Sequence, residues 1–264
     1  MYYELSNHWK IPGIGFGTWQ IVDQQEADRA IEMALQCGYS LIDTASKYKN
    51  EEIIGDALKH MGADREKIFV EGKVWNKDRG FEKTLAAFEK TRKKLQLDYL
   101  DAYLIHWPAS ALFYEDWAKI NAETWRALEK LYEEGLVRAI GVCNYEIEHL
   151  NELEKSANIK PMLNQVEFHP GTFPEEIYRY CCEENIQMQA WSPLGNGQLL
   201  ENETVKKIAG KHKKSPAQVC LKWCVQKQVI PLPKSVTPKR IQENISLGDF
   251  LLTEEEMKQL EEIV

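Results

Sequence analysis

Eight short apolar runs of strand character, at residues 13–18, 40–43, 68–73, 100–106, 137–144, 162–167, 187–191 and 229–233, alternate with amphipathic stretches at 24–37, 50–60, 81–95, 123–134, 146–155, 174–185 and 215–228. One crossover helix between successive strands makes the strands parallel, because a parallel neighbour cannot be reached through a tight turn. Eight such units within 264 residues suit a closed (β/α)8 TIM barrel better than an open sheet, which usually has fewer strands. No repeat, low-complexity tract or Pro/Gly linker interrupts the alternation, so a single α/β domain over residues 1–264 is expected. The leading segment 1–11, with Tyr2, Tyr3, Leu5, Trp9 and Ile11, is expected to form a short N-terminal β-hairpin over the barrel floor.

Helix punctuation agrees with this frame. Asp23 with Glu26 and Thr253 with Glu256 have capping-box spacing, Ser215 precedes the first-turn Pro216, and Gly38 and Gly135 sit where helices should stop. Charge limits the partners: 33 Lys plus Arg against 41 Asp plus Glu leave a formal −8, so no overall positive field draws the chain to nucleic acid or to a membrane. No stretch approaches the ~18 apolar residues of a membrane span, and residues 1–10 lack the basic-then-apolar order of an export signal. The six cysteines contain no CxxC pair and are too sparse for a disulfide scaffold, which fits a cytoplasmic location. Cys220 and Cys224 are spaced to share a metal, but no His or Cys follows at finger spacing, so no metal is expected.

In a barrel of this type the βα loops build the open face, so chemistry comes from residues that end strands. Those residues are Thr18 with Trp19, Asp43, Lys73 with Trp75, His106 with Trp107, Asn144, Gln165, Trp191, and Lys234 with Ser235. Asp43 ends the second strand, Tyr48 follows on its loop, and Lys73 and His106 end the next two strands. If the four converge, Asp43 keeps the Lys73 ammonium charged, and the ammonium favours phenolate, drawing Tyr48 down from about 10 toward working pH. Tyr48 then serves as general acid while a neutral His106 orients the oxygen it protonates. Protonating a developing alkoxide suits carbonyl reduction. On spacing alone a plainer arrangement stays open: a structural Asp43–Lys73 salt bridge, a satisfied strand-end histidine and a helix-start aromatic. Trp19, Trp75 and Trp107 are expected to wall a pocket for an apolar or aldehyde substrate, with simple core packing as the alternative.

Gly13-Ile-Gly-Phe-Gly17 looks like a dinucleotide fingerprint but lacks the GxGxxG spacing and precedes no helix, so it reads as tight strand packing. The stretch 233–244 is more informative. Thr237 and Pro238 mark a helix start, which puts Lys239 and Arg240 in a first turn whose dipole disfavours cations. An anion on the exposed N–H groups would resolve that conflict, and phosphate sites in such barrels commonly follow the last two strands. Lys234, Ser235 and Arg240 are therefore phosphate candidates, against the alternative of a solvated basic loop.

These residues resemble the aldo-keto reductase family. The resemblance rests on Asp43-Thr-Ala-x-x-Tyr48 with Asn50-Glu51 and Gly55, on Leu97 to Pro108 with His106 inside it, on Gly135 to Asn144, on Asn164-Gln-Val-Glu-Phe-His-Pro170, and on Pro233-Lys-Ser-Val236. It implies NADPH-dependent reduction of aldehydes or ketones in a barrel without a Rossmann domain, NADP+ being the product form. It makes Asp43, Tyr48, Lys73 and His106 the catalytic four, with Tyr48 the proton donor. It implies that Asn144 and Gln165 hold the nicotinamide carboxamide, that Trp191 stacks on the ring, and that Ser192 and Leu194 contact the pyrophosphate. Lys234, Ser235, Arg240 and Asn244 match contacts to the 2′-phosphate and adenine. Trp191 with Leu194-Gly-Asn-Gly197 resembles the bacterial diketogluconate and glyoxal reductase branch.

Two departures stand out. Cys143 occupies a position usually held by Ser, and a thiol is the weaker donor. The sequence stops at Val264 soon after its last helix, so an open, permissive mouth is expected. The long segment 109–121, with Leu112, Phe113, Tyr114 and Trp117, either supplies substrate contacts or packs on the next helix. The expected partner is a small-molecule carbonyl substrate, and a monomer is expected with a dimer left open. Other functions compatible with the same residues are a lyase with Lys73 as Schiff-base amine and a module that binds the nucleotide without turnover.

Overall fold

The computed structural model describes residues 1–248 and 250–263; Asp249 and Val264, the latter carrying the expectation about the chain's end, lie outside the described residues. Strands β1 (Tyr2–Glu4) and β2 (Lys10–Pro12) form an antiparallel hairpin. The alternation then runs β3 (Phe16–Gly17), α1 (Gln24–Gln36), β4 (Leu41–Asp43), α2 (Glu51–His60), β5 (Phe69–Val74), α3 (Phe81–Leu95), β6 (Leu100–Ile105), α4 (Trp117–Glu133), β7 (Val137–Cys143) and α5 (Ile147–Glu154). It continues with β8 (Leu163–Glu167), α6 (Glu175–Glu183), β9 (Gln187–Trp191), α7 (Glu203–His212), α8 (Pro216–Gln226), β10 (Ile230–Pro231), α9 (Pro238–Ile245) and α10 (Glu254–Glu261). Strands β3 to β10 pair in chain order, every pair parallel.

Glycines close the barrel. Gly15 N donates to Pro231 O and Gly17 N to Pro233 O, both at 3.0 Å, joining the first strand to the last. A Cβ on Gly17 would lie 2.9 Å from Leu232 O, so only a residue without a side chain lets the two backbones meet. The Gly13 to Gly17 run is thus the barrel seam. The hairpin sits at the opposite end from the βα loops: Asn7 Nδ2 donates at 2.8 Å to the carbonyl of Arg138, near the start of β7.

Most helix signals operate as their chemistry suggests. Thr253 with Glu256 and Ser215 with Gln218 form complete capping boxes, and Gly38 (φ 95°) and Gly135 (φ 72°) end α1 and α4 in the left-handed region. At α1 only half of the box forms, Asp23 accepting from Glu26 N at 2.8 Å. Two elements differ from the sequence pattern. Helix α4 begins at Trp117 rather than 123, because Asn121 clasps Ala109 through both its N–H and its carbonyl, at 2.8 and 3.0 Å. Helix α7 lies where the sequence pattern predicts no helix; Asn202 caps it and only Val205, Ile208 and Ala209 are buried, too few for a clear periodicity. Cys220 and Cys224 are core residues of α8, and the described residues contain no group of three metal-ligating side chains.

Candidate active site

Four side chains from neighbouring βα units meet at the C-terminal mouth. Asp43 ends β4 and Lys73 lies in β5; both are buried. The register sets Asp43 level with Glu71, and the pleat returns Lys73, two residues on, to the same face. Lys73 Nζ donates to Asp43 Oδ1, to Thr44 O at 3.1 Å and to the Tyr48 hydroxyl at 3.5 Å. Tyr48 is presented by the 3-10 turn Ser46–Tyr48, which is tied to β5 where Ser46 Oγ donates to Lys73 O at 3.1 Å. The His106 ring stands edge-on to Tyr48 at 5.7 Å and to Trp75 at 5.1 Å.

The electrostatics follow from burial. Desolvation is the largest single influence on Lys73 and works against its charge, but Asp43, Tyr48, Cys143 and Glu71 together outweigh it and hold the ammonium above its usual value. At an effective dielectric near 20, unit charges ~4 Å apart attract by about 4 kcal/mol, comparable with the several kcal/mol lost in desolvating each ion. The pair therefore acts as a fixed local charge more than as a source of stability. For Tyr48 the sign expected from its neighbour is overturned. Burial, which disfavours phenolate, exceeds the pull of Lys73 and raises the phenol above its ordinary value near 10. The Tyr48 phenol is thus protonated, with the Lys73 ammonium beside its oxygen. Burial, followed by Lys73 and Lys47, pushes His106 down to about 3, so the imidazole is neutral. Its Nδ1 is buried without a hydrogen-bond partner among the described residues.

Beneath this cluster lies a group that the strand ends did not announce. Glu71, fully buried in β5, accepts from Gln165 Nε2 and Gln189 Nε2, each at 2.8 Å. Gln165 Nε2 also lies 3.2 Å from Asp43 Oδ1 and 3.0 Å from Gln189 Oε1. Burial and the adjacent Asp43 carboxylate raise Glu71 to about 8, which makes it a neutral acid under the salt bridge near pH 7. The available signal was the period of two: Glu71 shares a face with Lys73. Asn50, which follows the Asp43 to Tyr48 motif, is fully buried and joins the first two βα loops, donating to Thr18 O and Ile21 O and accepting from Thr44 Oγ1.

The remaining candidates line one cavity of about 1070 Å³ together with Asp43, Tyr48 and His106. Asn144 adopts φ 60°, donates to His106 O at 3.0 Å and accepts from Trp191 Nε1 at 2.8 Å, which fixes the indole at the wall. Gln165 reaches the cavity but is nearly all buried. Ser192, whose Oγ donates to Asn196 Oδ1 at 3.0 Å, and half-buried Leu194 follow β9. Lys234, Ser235, Arg240 and Asn244 form the far lining. Trp19, Trp75 and Trp107 are at the wall, Trp19 and Trp107 being 51% and 42% exposed. Cys143 also lines it and is buried, its thiol raised well above the usual value mainly by desolvation. In the 109–121 segment, Leu112 and Phe113 are exposed and away from the cavity lining, while Trp117 packs on His149 at 5.5 Å.

This lining fits a dinucleotide phosphate. The volume passes the roughly 300–1,000 Å³ of a site for one drug-sized ligand. Thr237 gives α9 no side-chain cap, so the first-turn N–H groups lack one partner, and Lys234 and Arg240 stand at the same place.

Comparison with known proteins agrees with that geometry. The model of the aldo/keto reductase family matches residues 13–264. The glyoxal reductase of Bacillus subtilis (strain 168) is 49% identical over 98% of this chain and 91% of its own length. The methylglyoxal reductase DkgA of Escherichia coli (strain K12) is 38% identical over 95% and 88%. A crystal structure of a Gox0644 variant in complex with NADPH superposes with a TM-score of 0.91 at 36% identity, over 99% of this chain and 92% of that one.

Proposed function

This chain belongs to the aldo/keto reductase family and is an NADP-dependent carbonyl oxidoreductase, and on that premise we propose that Tyr48 is its proton donor, serving a broad range of small aldehydes, dicarbonyls and keto-sugars in a single barrel domain. NADPH supplies the hydride. Asn144, Gln165 and Trp191 would hold its nicotinamide, Ser192 and Leu194 its pyrophosphate, and Lys234, Ser235, Arg240 and Asn244 its 2′-phosphate and adenine. As the carbonyl carbon accepts hydride, the C=O π pair moves to oxygen, the Tyr48 O–H breaks and its proton passes to that oxygen. The phenolate left behind faces the Lys73 ammonium, which Asp43 keeps charged, and solvent returns the proton. Neutral His106 positions the carbonyl oxygen, and Trp19, Trp75 and Trp107 exclude water from it.

The observation that carries this reading is Lys73 Nζ bonded at once to Asp43 and to Tyr48 in a buried site. A Schiff-base lyase would need Lys73 as a free amine, and Asp43 holds it protonated. Glyoxal and methylglyoxal, the substrates named for two relatives, support the small-dicarbonyl end of the range. No helix among the described residues is long and apolar enough to cross a membrane; we place the enzyme in the cytoplasm as a monomer. Tyr48→Phe tests the assignment: NADPH-linked turnover of methylglyoxal is expected to fall by well over ~10² while NADPH binding persists. Retention of most of the turnover overturns it.

A further inference from the structure

Lys47 stands beside Tyr48 in the turn Ser46–Tyr48 and has no part in the proton path described above. It is exposed, and it lines the same cavity. Its Nζ lies 4.6 Å from the centroid of the Trp75 ring, and Trp75 in turn abuts His106. Some exposed lysines of this chain lie against carboxylates, Lys130 at 2.5 Å from Glu134 and Lys160 at 2.7 Å from both Glu154 and Glu184. Among the described residues Lys47 forms no such ion pair and lies instead over the indole face. The Asp43 carboxylate of the site is already paired with Lys73.

An indole face attracts a cation but carries no net charge to neutralise it, so the ammonium keeps its capacity for an anion. Its reach extends to the reacting centre: it is one of the charges that hold the His106 imidazole neutral. The chain as a whole carries −8, so Lys47, beside Trp75 and apart from the Lys234 and Arg240 positions assigned to the cofactor phosphate, makes a local attraction in a field that otherwise repels anions. An anionic group held here sits one aromatic ring away from the carbonyl position that His106 and Tyr48 define.

We propose that Lys47 is a substrate-selecting residue, and that the site takes aldehydes carrying a carboxylate remote from the carbonyl; this rests on the carbonyl-reductase reading of the same site. A carboxylate at the para position of an aromatic aldehyde has the right separation in kind, with its ring against Trp75 and its charge toward the ammonium. The attraction acts on binding, so it lowers KM for the anionic substrate more than it changes kcat.

The test is steady-state kinetics with NADPH on 4-formylbenzoate and on its methyl ester, which differ in charge and little in shape. The wild-type enzyme is expected to favour the carboxylate by about tenfold in kcat/KM, mostly through KM, and to lose that preference as salt is raised. In Lys47→Met the carboxylate-to-ester ratio should fall toward one, in Lys47→Glu it should drop below one, and in Lys47→Arg it should return. Reduction of both compounds with a ratio unaffected by Lys47→Met overturns the inference and leaves the reductase reading standing. No NADPH-linked reduction of either compound, or of methylglyoxal, overturns both.

Discussion

Gln165 and Glu71 meet at the centre of the barrel, the amide Nε2 donating to the carboxyl Oε1 at 2.8 Å. Gln189 donates to the other oxygen at 2.8 Å, and Asp43 is level with Glu71 on the neighbouring strand. Under the Asp43–Lys73 pair the barrel thus holds a second carboxyl. Two amides can satisfy its oxygens, but the adjacent carboxylate disfavours a further negative charge. The result is an acid kept neutral: the one nearby ammonium, Lys73, is hydrogen-bonded to Asp43 and not to Glu71.

That arrangement predicts an unusual pH dependence. Burial and Asp43 raise Glu71 from 4.5 to about 8 in the folded chain. Between about pH 4.5 and 8 the native state keeps a proton that the unfolded chain has released, so stability contributed by this group falls as pH rises through that window. A salt-bridged carboxylate, with a depressed folded value, behaves in the opposite sense. Glu71→Gln removes the titration while keeping a hydrogen-bonding side chain, and its Tm is expected to fall less steeply than that of the wild type from about pH 5 to about pH 8. Thermal unfolding of both proteins across the range measures it; parallel curves would mean that Glu71 is ionised in the fold.

Arg240 supplies a prediction about cofactor choice. It is exposed in the first turn of α9 and lines the cavity with Lys234, at a helix start without a side-chain cap. A charge-assisted hydrogen bond from such a residue to a phosphate contributes about 1.5 kcal/mol, roughly tenfold in affinity. Arg240→Ala should therefore weaken NADPH about tenfold with much less effect on NADH, which lacks the 2′-phosphate. Fluorescence titration of both cofactors checks this. Equal losses would point to damage in α9, and no loss for NADPH would remove the phosphate site from this loop.

The barrel and its reacting face were legible in the sequence because strand ends and crossover helices have strong local signatures. Asp43 ends β4, Lys73 is the last residue but one of β5 and His106 follows β6, so the fold's topology alone places them together. What stayed hidden depends on packing. Glu71 sits mid-strand, where its charge contradicts a buried setting until Gln165 and Gln189 are known to face it. The rise of Tyr48 was missed because its neighbour's charge is visible in the sequence whereas the depth of its burial is not. Helix α7 buries three small or branched residues in ten, so its existence is decided by the α8 and α10 surfaces it covers more than by its own pattern. The early start of α4 likewise rests on a tertiary clasp, Asn121 on Ala109.

The seam of the barrel can be tested by two glycine substitutions of opposite sign. At Gly17 an added Cβ meets Leu232 O at 2.9 Å, a backbone atom of the segment to which Gly17 N donates at Pro233 O. Neither chain can yield without opening the closing hydrogen bonds, so Gly17→Ala is expected to cost about 1–3 kcal/mol. At Gly210, exposed in α7, an added Cβ meets nothing within 4 Å. There the methyl group only restricts the unfolded chain and improves helix propensity, so Gly210→Ala should stabilise by about 0.5–1 kcal/mol. At roughly 2–4 °C per kcal/mol for a chain of this size, the two variants should move Tm in opposite directions. A Gly17→Ala protein as stable as the wild type would show that β3 and β10 are not held as closely as Gly15 and Gly17 imply, and the barrel would then have a gap on the side where the Lys234 loop meets the loop of Trp19.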